Sequence, residues 1–264
     1  MDGSRIILAA HRGDKKRCPE NTMPAFEAAY EAKVDMIETD IHITADGELV
    51  IIHDRNVLRT TGVDRFVTDM TLDEVKALDA GSWFSNEFEK VKVPTVKEFM
   101  EWVVSTNLLV NWELKDYPAE VGTEAAHDSV DKLLMLIREY GMESRSMLNS
   151  FSIQVLEYAH KQAPELPVHG QGIHKCRRSN DVSEISEEEL FDWCCLYPVE
   201  RGKSPVDYME NFDYCSQHGI YPCVCIPDEV ERYKKAIQYG CRMFTSNDIY
   251  EADRILRELK VRGV

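Results

Sequence analysis

No stretch of this chain is apolar for long enough to cross a bilayer as a helix, which argues against an integral membrane protein. The opening run MDGSRIILAAHRGD has one short apolar patch. It lacks the basic segment, long apolar region and small-residue cleavage site of a secretory leader. These shortages predict a soluble, cytoplasmic protein with no stable membrane anchor. Positive charge is scarce as well: 31 Lys and Arg stand against 47 Asp and Glu, a formal net charge of −16. Nucleic acid and anionic membrane are therefore poor candidates for the main partner, since both demand a basic face. An anionic substrate would need cations gathered locally. Paired C-x-x-C knuckles are missing, which leaves zinc weakly supported. The eight cysteines do not read as a disulfide set either. Cys194 and Cys195 are adjacent, Cys223 and Cys225 alternate, and Cys18, Cys176, Cys215 and Cys241 are scattered, so reduced thiols are expected. No repeat, low-complexity tract or Pro/Gly/Ser-rich linker interrupts the 264 residues. One domain over 1–264 is the expectation.

What the chain does have is alternation of short β-like runs with amphipathic helical runs, the pattern of an α/β domain with a parallel sheet. The spacing predicts strands at 5–10, 35–43, 48–53, 107–114, 145–150, 166–172, 192–197, 220–226 and 241–245. Helices are expected at 22–33, 95–106, 120–140, 152–163, 205–218, 227–239 and 250–260, with Thr22 as an N-cap and Pro24 in the first turn. Nine strands are one too many for a (β/α)8 barrel. The second and third runs are separated only by Thr44-Ala45-Asp46-Gly47, and Asp-Gly is a hairpin signal. A parallel pair would need a crossover of about a dozen residues. The run 48–53 should therefore return antiparallel as an appendage, leaving a TIM barrel, for which roughly 250 residues is typical. Residues 55–93 show mixed signals without a long helix and read as an inserted cap over the barrel mouth.

The run IETDIHITADGELVIIHD (37–54) places ionisable groups where burial should penalise them. Strand alternation puts Glu38, Asp40 and His42 on one face and Ile37, Thr39 and Ile41 on the other. A hairpin at 44–47 would bring His53 back roughly opposite Glu38. In 107–114 the same phase carries Glu113 and then Lys115, and the first strand ends at His11-Arg12-Gly13. Crowded carboxylates cannot all stay ionised without a compensating charge. Glu38, Asp40 and Glu113 thus suggest one hard divalent cation, Mg²⁺ or Ca²⁺. Such an ion beside His11, His53 and Arg12 is equipment for cleaving a phosphate ester: cations neutralise phosphoryl oxygens and histidines move protons. Taken singly, each group has a plainer reading. An Ile-Glu-Thr-Asp run also suits a half-exposed edge strand, and Glu113 could simply pair with Lys115. The acidic run 184–189 reads as a solvated helix start.

The segments HRG (11–13), PENT (19–22), Ala25-Phe26, the run from Asp35 to Asp54 and WELK (112–115) together resemble the glycerophosphodiester phosphodiesterase family, and Ser150-Phe151 resembles its Ser-Phe pair. The resemblance implies a TIM barrel with a cap, His11 and His53 as the acid/base pair, and Glu38, Asp40 and Glu113 as metal ligands. Arg12 and Lys115 are similar to its phosphate-contacting residues. It implies hydrolysis of a small glycerophosphodiester to glycerol 3-phosphate and an alcohol. Two alternatives are a lyase of the phospholipase C or sphingomyelinase D type, ending at a cyclic phosphate, and a non-catalytic phosphodiester-binding barrel. The sequence departs from the family pattern at Lys33, often Gly; at Pro222–Pro227, where a Trp is common; and at Ser246-Asn247-Asp248-Ile249, where Thr-Asp-x-Pro is usual.

Overall fold

The computed structural model describes residues 5–173, 181–225 and 229–263. Cys176, Ile226, Pro227 and the start of the helix expected at 227–239 lie outside them. The described strands are β1 (Ile7–His11), β2 (Met36–Ile43), β3 (Leu49–Ile51), β4 (Leu109–Leu114) and β5 (Ser146–Asn149). Then come β6 (Val168–Gln171), β7 (Trp193–Leu196), β8 (Tyr221–Cys225) and β9 (Met243–Ser246). Each sits within or within one residue of an expected run. Eight of them pair in parallel, and β1 joins both β9 and β2, so the ring closes into a TIM barrel with β3 outside it. β3 pairs antiparallel with β2 as expected. The register sets Ile41 against Ile51. Continued outward, it brings His53 opposite Thr39, one residue from the expected partner.

Alternation sorts the strand side chains into two cores. Ile7, Ala9, Met36, Met147, Trp193, Cys195, Cys223 and Met243 cluster inside the ring. Leu8, Ile37, Val110, Trp112, Leu148, Val224 and Phe244 face the surrounding helices. The inner apolar plug belongs to the lower part of the barrel. Toward the C-terminal ends the inward positions become polar, and that is where a site can form.

The outer helices include Met23–Glu31, Val96–Val103, Ile153–Gln162 and Ile249–Glu258. Thr95 and Glu98 form a capping box on the second of these. Thr22 occupies the N-cap position of the first, but its hydroxyl donates to the Pro19 carbonyl (2.6 Å) and makes no cap bond. The helix expected at 120–140 is split, because Gly122 (φ 86°) separates Pro118–Val121 from Thr123–Glu139. Lys33 adopts φ 59°, the left-handed region, where glycine is the favoured residue. None of the described helices is long and apolar enough to cross a membrane.

Residues 55–93 form no long helix but fold on their own small core. Val57, Val67, Met70, Val75, Leu78, Ala80 and Val93 pack against Val50 and Ile52 of the hairpin arm. Leu49 and Ile51 point the other way, into the main core. The arm of the third strand thus packs on both sides: one face belongs to the barrel core and the other to the small core of 55–93.

Candidate active site

The first strand ends in two left-handed residues, Arg12 (φ 61°) and Gly13 (φ 80°). A Cβ on Gly13 would lie 2.7 Å from the Ala25 carbonyl carbon and oxygen, so this turn needs glycine. The reversal lets Arg12 N–H donate to the Glu38 carbonyl (2.9 Å) and folds its side chain back over the barrel mouth. There Arg12 Nη1 donates to Glu20 Oε1 (2.8 Å) and Nε lies 3.2 Å from Asp40 Oδ2. Asn21, also left-handed (φ 56°), donates from Nδ2 to Asp40 Oδ2 (2.7 Å) and accepts from the Thr39 hydroxyl (3.1 Å).

Glu38, Asp40 and Glu113 converge: each offers a carboxylate oxygen, and these lie within 4.8 Å of one another. All three are buried. The cations among them are Arg12 and Lys115. Lys115 Nζ donates to Glu113 and sits 3.3 Å from Asp40 Oδ1. Two cations against three acids leave one negative charge over. Accordingly burial, then the Asp40 and Glu113 charges, push the Glu38 carboxyl well above its usual range. Asp40 goes the other way: burial would raise it, but the Lys115 and Arg12 charges hold it well below. Among the described residues Glu38 Oε1 and Asp40 Oδ1 accept no hydrogen bond, the latter being only ion-paired with Lys115. Orphaned, buried carboxylate oxygens with surplus negative charge are what a hard divalent cation requires, so these residues fit one.

Both expected histidines stand at this rim. His11 Nε2 is 3.9 Å from Glu38 Oε2, while its Nδ1–H donates to Asn247 Oδ1 (2.6 Å). Burial, followed by the Arg12 charge, lowers its pKa to about 3, so the ring is neutral and its Nε2 carries a lone pair. His53 donates from Nδ1 to Asp54 Oδ1 (2.5 Å). His42, on the same strand phase as the acids, is placed differently. Its Nδ1 lies 2.8 Å from Asp116 Oδ1 and its Nε2 3.3 Å from the His53 carbonyl oxygen, so it buttresses the hairpin's return and is not one of the cavity's lining residues. Lys115 pairs with both Glu113 and Asp40, so the plainer ion-pair reading and a site position hold together.

A cavity of about 210 Å³ is lined by His11, Arg12, Glu38, His53, Glu113 and Lys115, with Asn111, Asn149, His169, Gln171, Tyr197 and Cys225 further round. His169 accepts at Nδ1 from Asn111 Nδ2 (3.0 Å), and burial lowers its pKa to about 3. Gln171 donates to Asn149 Oδ1 (2.6 Å). Two larger grooves, about 460 and 430 Å³, lie at the opposite rim around Arg5, Lys33 and Asp35. They gather no comparable set of reactive groups, and that end of a barrel generally serves stability. Sequence reading missed Glu20, Asp54, Arg59, Asn247 and the polar ring below the acids. Glu20 stood inside a quoted motif, Asp54 adjoined a chosen histidine, and Asn247 lay within the departure at 246–249; nothing local marked Arg59 or the polar ring.

The profile of the Glycerophosphoryl diester phosphodiesterase family matches residues 11–264. A glycerophosphodiester phosphodiesterase of Caldanaerobacter subterraneus subsp. tengcongensis is 42% identical over 168 residues, 62% of this chain and 65% of that protein. The match thus spans slightly less than two thirds of that relative. A glycerophosphodiester phosphodiesterase of Bacillus subtilis is 34% identical over 234 residues, 83% of this chain and 76% of the relative. Among solved structures, an Oleispira antarctica phosphodiesterase in complex with the product sn-glycerol-3-phosphate superposes with a TM-score of 0.79 at 21% identity, covering 95% of this chain and 96% of that one. That likeness shows the fold.

Proposed function

We propose, from the premise that the chain belongs to the glycerophosphoryl diester phosphodiesterase family, that it hydrolyses small glycerophosphodiesters to sn-glycerol 3-phosphate and an alcohol. The observation that carries this reading is the convergence of three buried acids, two of them with orphaned oxygens, beside two differently partnered imidazoles. Glu38, Asp40 and Glu113 would hold one divalent cation, Mg²⁺ or Ca²⁺. When bound, it supplies positive charge for the phosphoryl oxygens and lowers the cost of gathering anionic groups.

The remaining roles fall to this chain's own residues. Arg12 and Lys115 bind phosphoryl oxygens and answer the chain's overall negative charge. His11, bonded through Nδ1 to a neutral amide, presents Nε2 as the base that accepts a proton from the entering oxygen. His53 is lowered in pKa by burial, against which the Asp40 charge and the Nδ1 hydrogen bond to the Asp54 carboxylate favour its imidazolium, and it gives its Nε2 proton to the departing alcohol. One water is consumed, one phosphorus–oxygen bond forms and one breaks. The same reading takes 1–264 as one domain with 55–93 as its cap. It places the protein in the cytoplasm, in lipid and glycerol metabolism, supported by a cysteine spacing unlike a disulfide framework.

The test is a panel of glycerophosphodiesters with choline, ethanolamine, glycerol and inositol heads, scored for glycerol 3-phosphate release with and without each divalent ion. Release that depends on added ion is expected. Cyclic glycerophosphate as the final product would turn the reading to a lyase, and no product from any diester would overturn it.

A further inference from the structure

We propose that Arg59, carried by the cap, is a positioning residue for His53 and Arg12; this rests on the hydrolytic reading above. Arg59 belongs to the short helix Leu58–Thr61 and to no barrel strand. Its Nε donates to Asp54 Oδ2, and its Nη2 donates to Glu20 Oε1 (2.6 Å). Asp54 uses its other oxygen to accept from His53 Nδ1 (2.5 Å). Glu20 Oε1 also accepts from Arg12 Nη1 (2.8 Å). One planar guanidinium therefore grips two carboxylates, and each carboxylate holds a residue of the site.

The two arms of this clamp differ in what their loss would do. Glu20 is almost fully buried and keeps Arg12 and Lys15 (3.4 Å) as cationic partners if Arg59 is removed. Asp54 has 30% of its side chain exposed, and among the described residues its side chain pairs with His53 and Arg59. Without Arg59 it can turn toward water, and the imidazole it orients then loses its fixed direction. The effect should fall on His53 first and on Arg12 second.

Guanidinium geometry suits the task. A fork of donors reaches two acceptors in one plane, whereas an ammonium acts as a single point charge. An isolated exposed ion pair would contribute little. Here the helix is anchored by Val57 and Thr60, both buried, and ended by Gly62 in the left-handed region (φ 76°). The cap thereby delivers a preorganised group to the rim, which gives the insertion a part in the chemistry beyond covering it.

The test compares Arg59→Ala and Arg59→Lys with the natural protein, as the full chain saturated with the activating divalent ion. For Arg59→Ala, kcat should fall about tenfold to a hundredfold while KM changes by less than about threefold, since orientation and not binding is lost. Guanidinium chloride at sub-denaturing concentration should restore part of that kcat, and Arg59→Lys should recover only part. ¹⁵N spectra of the His53 ring should show Nδ1 protonated throughout in the natural protein, with only Nε2 gaining and losing its proton, and a mixture of Nδ1–H and Nε2–H forms in Arg59→Ala. Thermal melts check that both variants fold. Unchanged kcat, or a loss that neither guanidinium nor lysine relieves with His53 spectra unaltered, would overturn the proposal. If the natural protein cleaves no glycerophosphodiester, the hydrolytic reading fails, and the His53 spectra still decide the positioning.

Discussion

His11 and Asn247 lie 236 positions apart in the chain and share a hydrogen bond of 2.6 Å, Nδ1–H to amide oxygen, across the seam where the barrel closes. The bond selects one tautomer of a neutral imidazole and leaves its Nε2 lone pair beside Glu38. Asn247→Leu should therefore lower kcat about tenfold to a hundredfold with KM little altered, because the ring loses direction but the cavity keeps its charges. His11→Ala and His53→Ala should each lower it further, by about 10²–10⁴ or more, with melting temperatures close to that of the natural protein. Steady-state kinetics with thermal melts separate these outcomes. Near-normal turnover in either alanine variant would remove that histidine from the acid/base pair.

Surplus negative charge among Glu38, Asp40 and Glu113 makes a prediction that needs no substrate. A cation that binds only the folded chain must raise its stability, by about 2.7 kcal/mol when the ion is at a hundred times its Kd. Mg²⁺ or Ca²⁺ should raise the melting temperature of chelator-treated protein, and chelator should silence turnover. In Glu38→Gln the thermal shift should shrink or vanish, since one carboxylate is neutralised. A natural protein whose melting point ignores both ions would refute the metal site.

Gly13 offers a purely steric test. Its left-handed backbone and the 2.7 Å approach of the Ala25 carbonyl to a hypothetical Cβ leave no room for alanine. Gly13→Ala should destabilise the fold by roughly 2 kcal/mol or more, through strain at φ > 0 and displacement of the helix bearing Ala25. Urea denaturation measures it. A loss below about 0.5 kcal/mol would mean the turn relaxes freely.

Much of this architecture was legible because barrel strands impose a period of two, and the polar phase of 37–54 and 107–115 stood out against it. Asp46-Gly47 marked the antiparallel return of β3. What the sequence left open has physical causes. His42 shares the phase of Glu38 and Asp40, but Asp116, from beyond the end of β4, draws it away from the cavity. Gly122 splits a helix whose apolar period runs through it. Arg59 could not be picked out from the local sequence, because its value lies in meeting Glu20, 39 positions away, only after the cap has folded. Asn247 depends likewise on ring closure. Long-range polar contacts leave no periodicity for a linear reading to detect.

Glu20 ties that long-range network to acid stability. Burial alone would raise its carboxyl, yet the hydrogen bond from Arg59 and the charges of Arg12, Lys15 and Arg59 bring it down to about 2, from 4.5. A depressed folded-state pKa means the ionised form stabilises the fold. That contribution is complete above about pH 4.5 and fades as pH falls toward 2. Its upper bound is about 3 kcal/mol, from roughly 1.36 kcal/mol for each pKa unit. Glu20→Gln keeps the shape and removes the charge. The stability gap between natural protein and variant, read from urea midpoints, should be widest near neutrality and should close between pH 4.5 and 2, where the natural residue itself becomes neutral. A gap that stays constant through that window would show that Glu20 acts by packing, and that the cations around it find equivalent partners elsewhere.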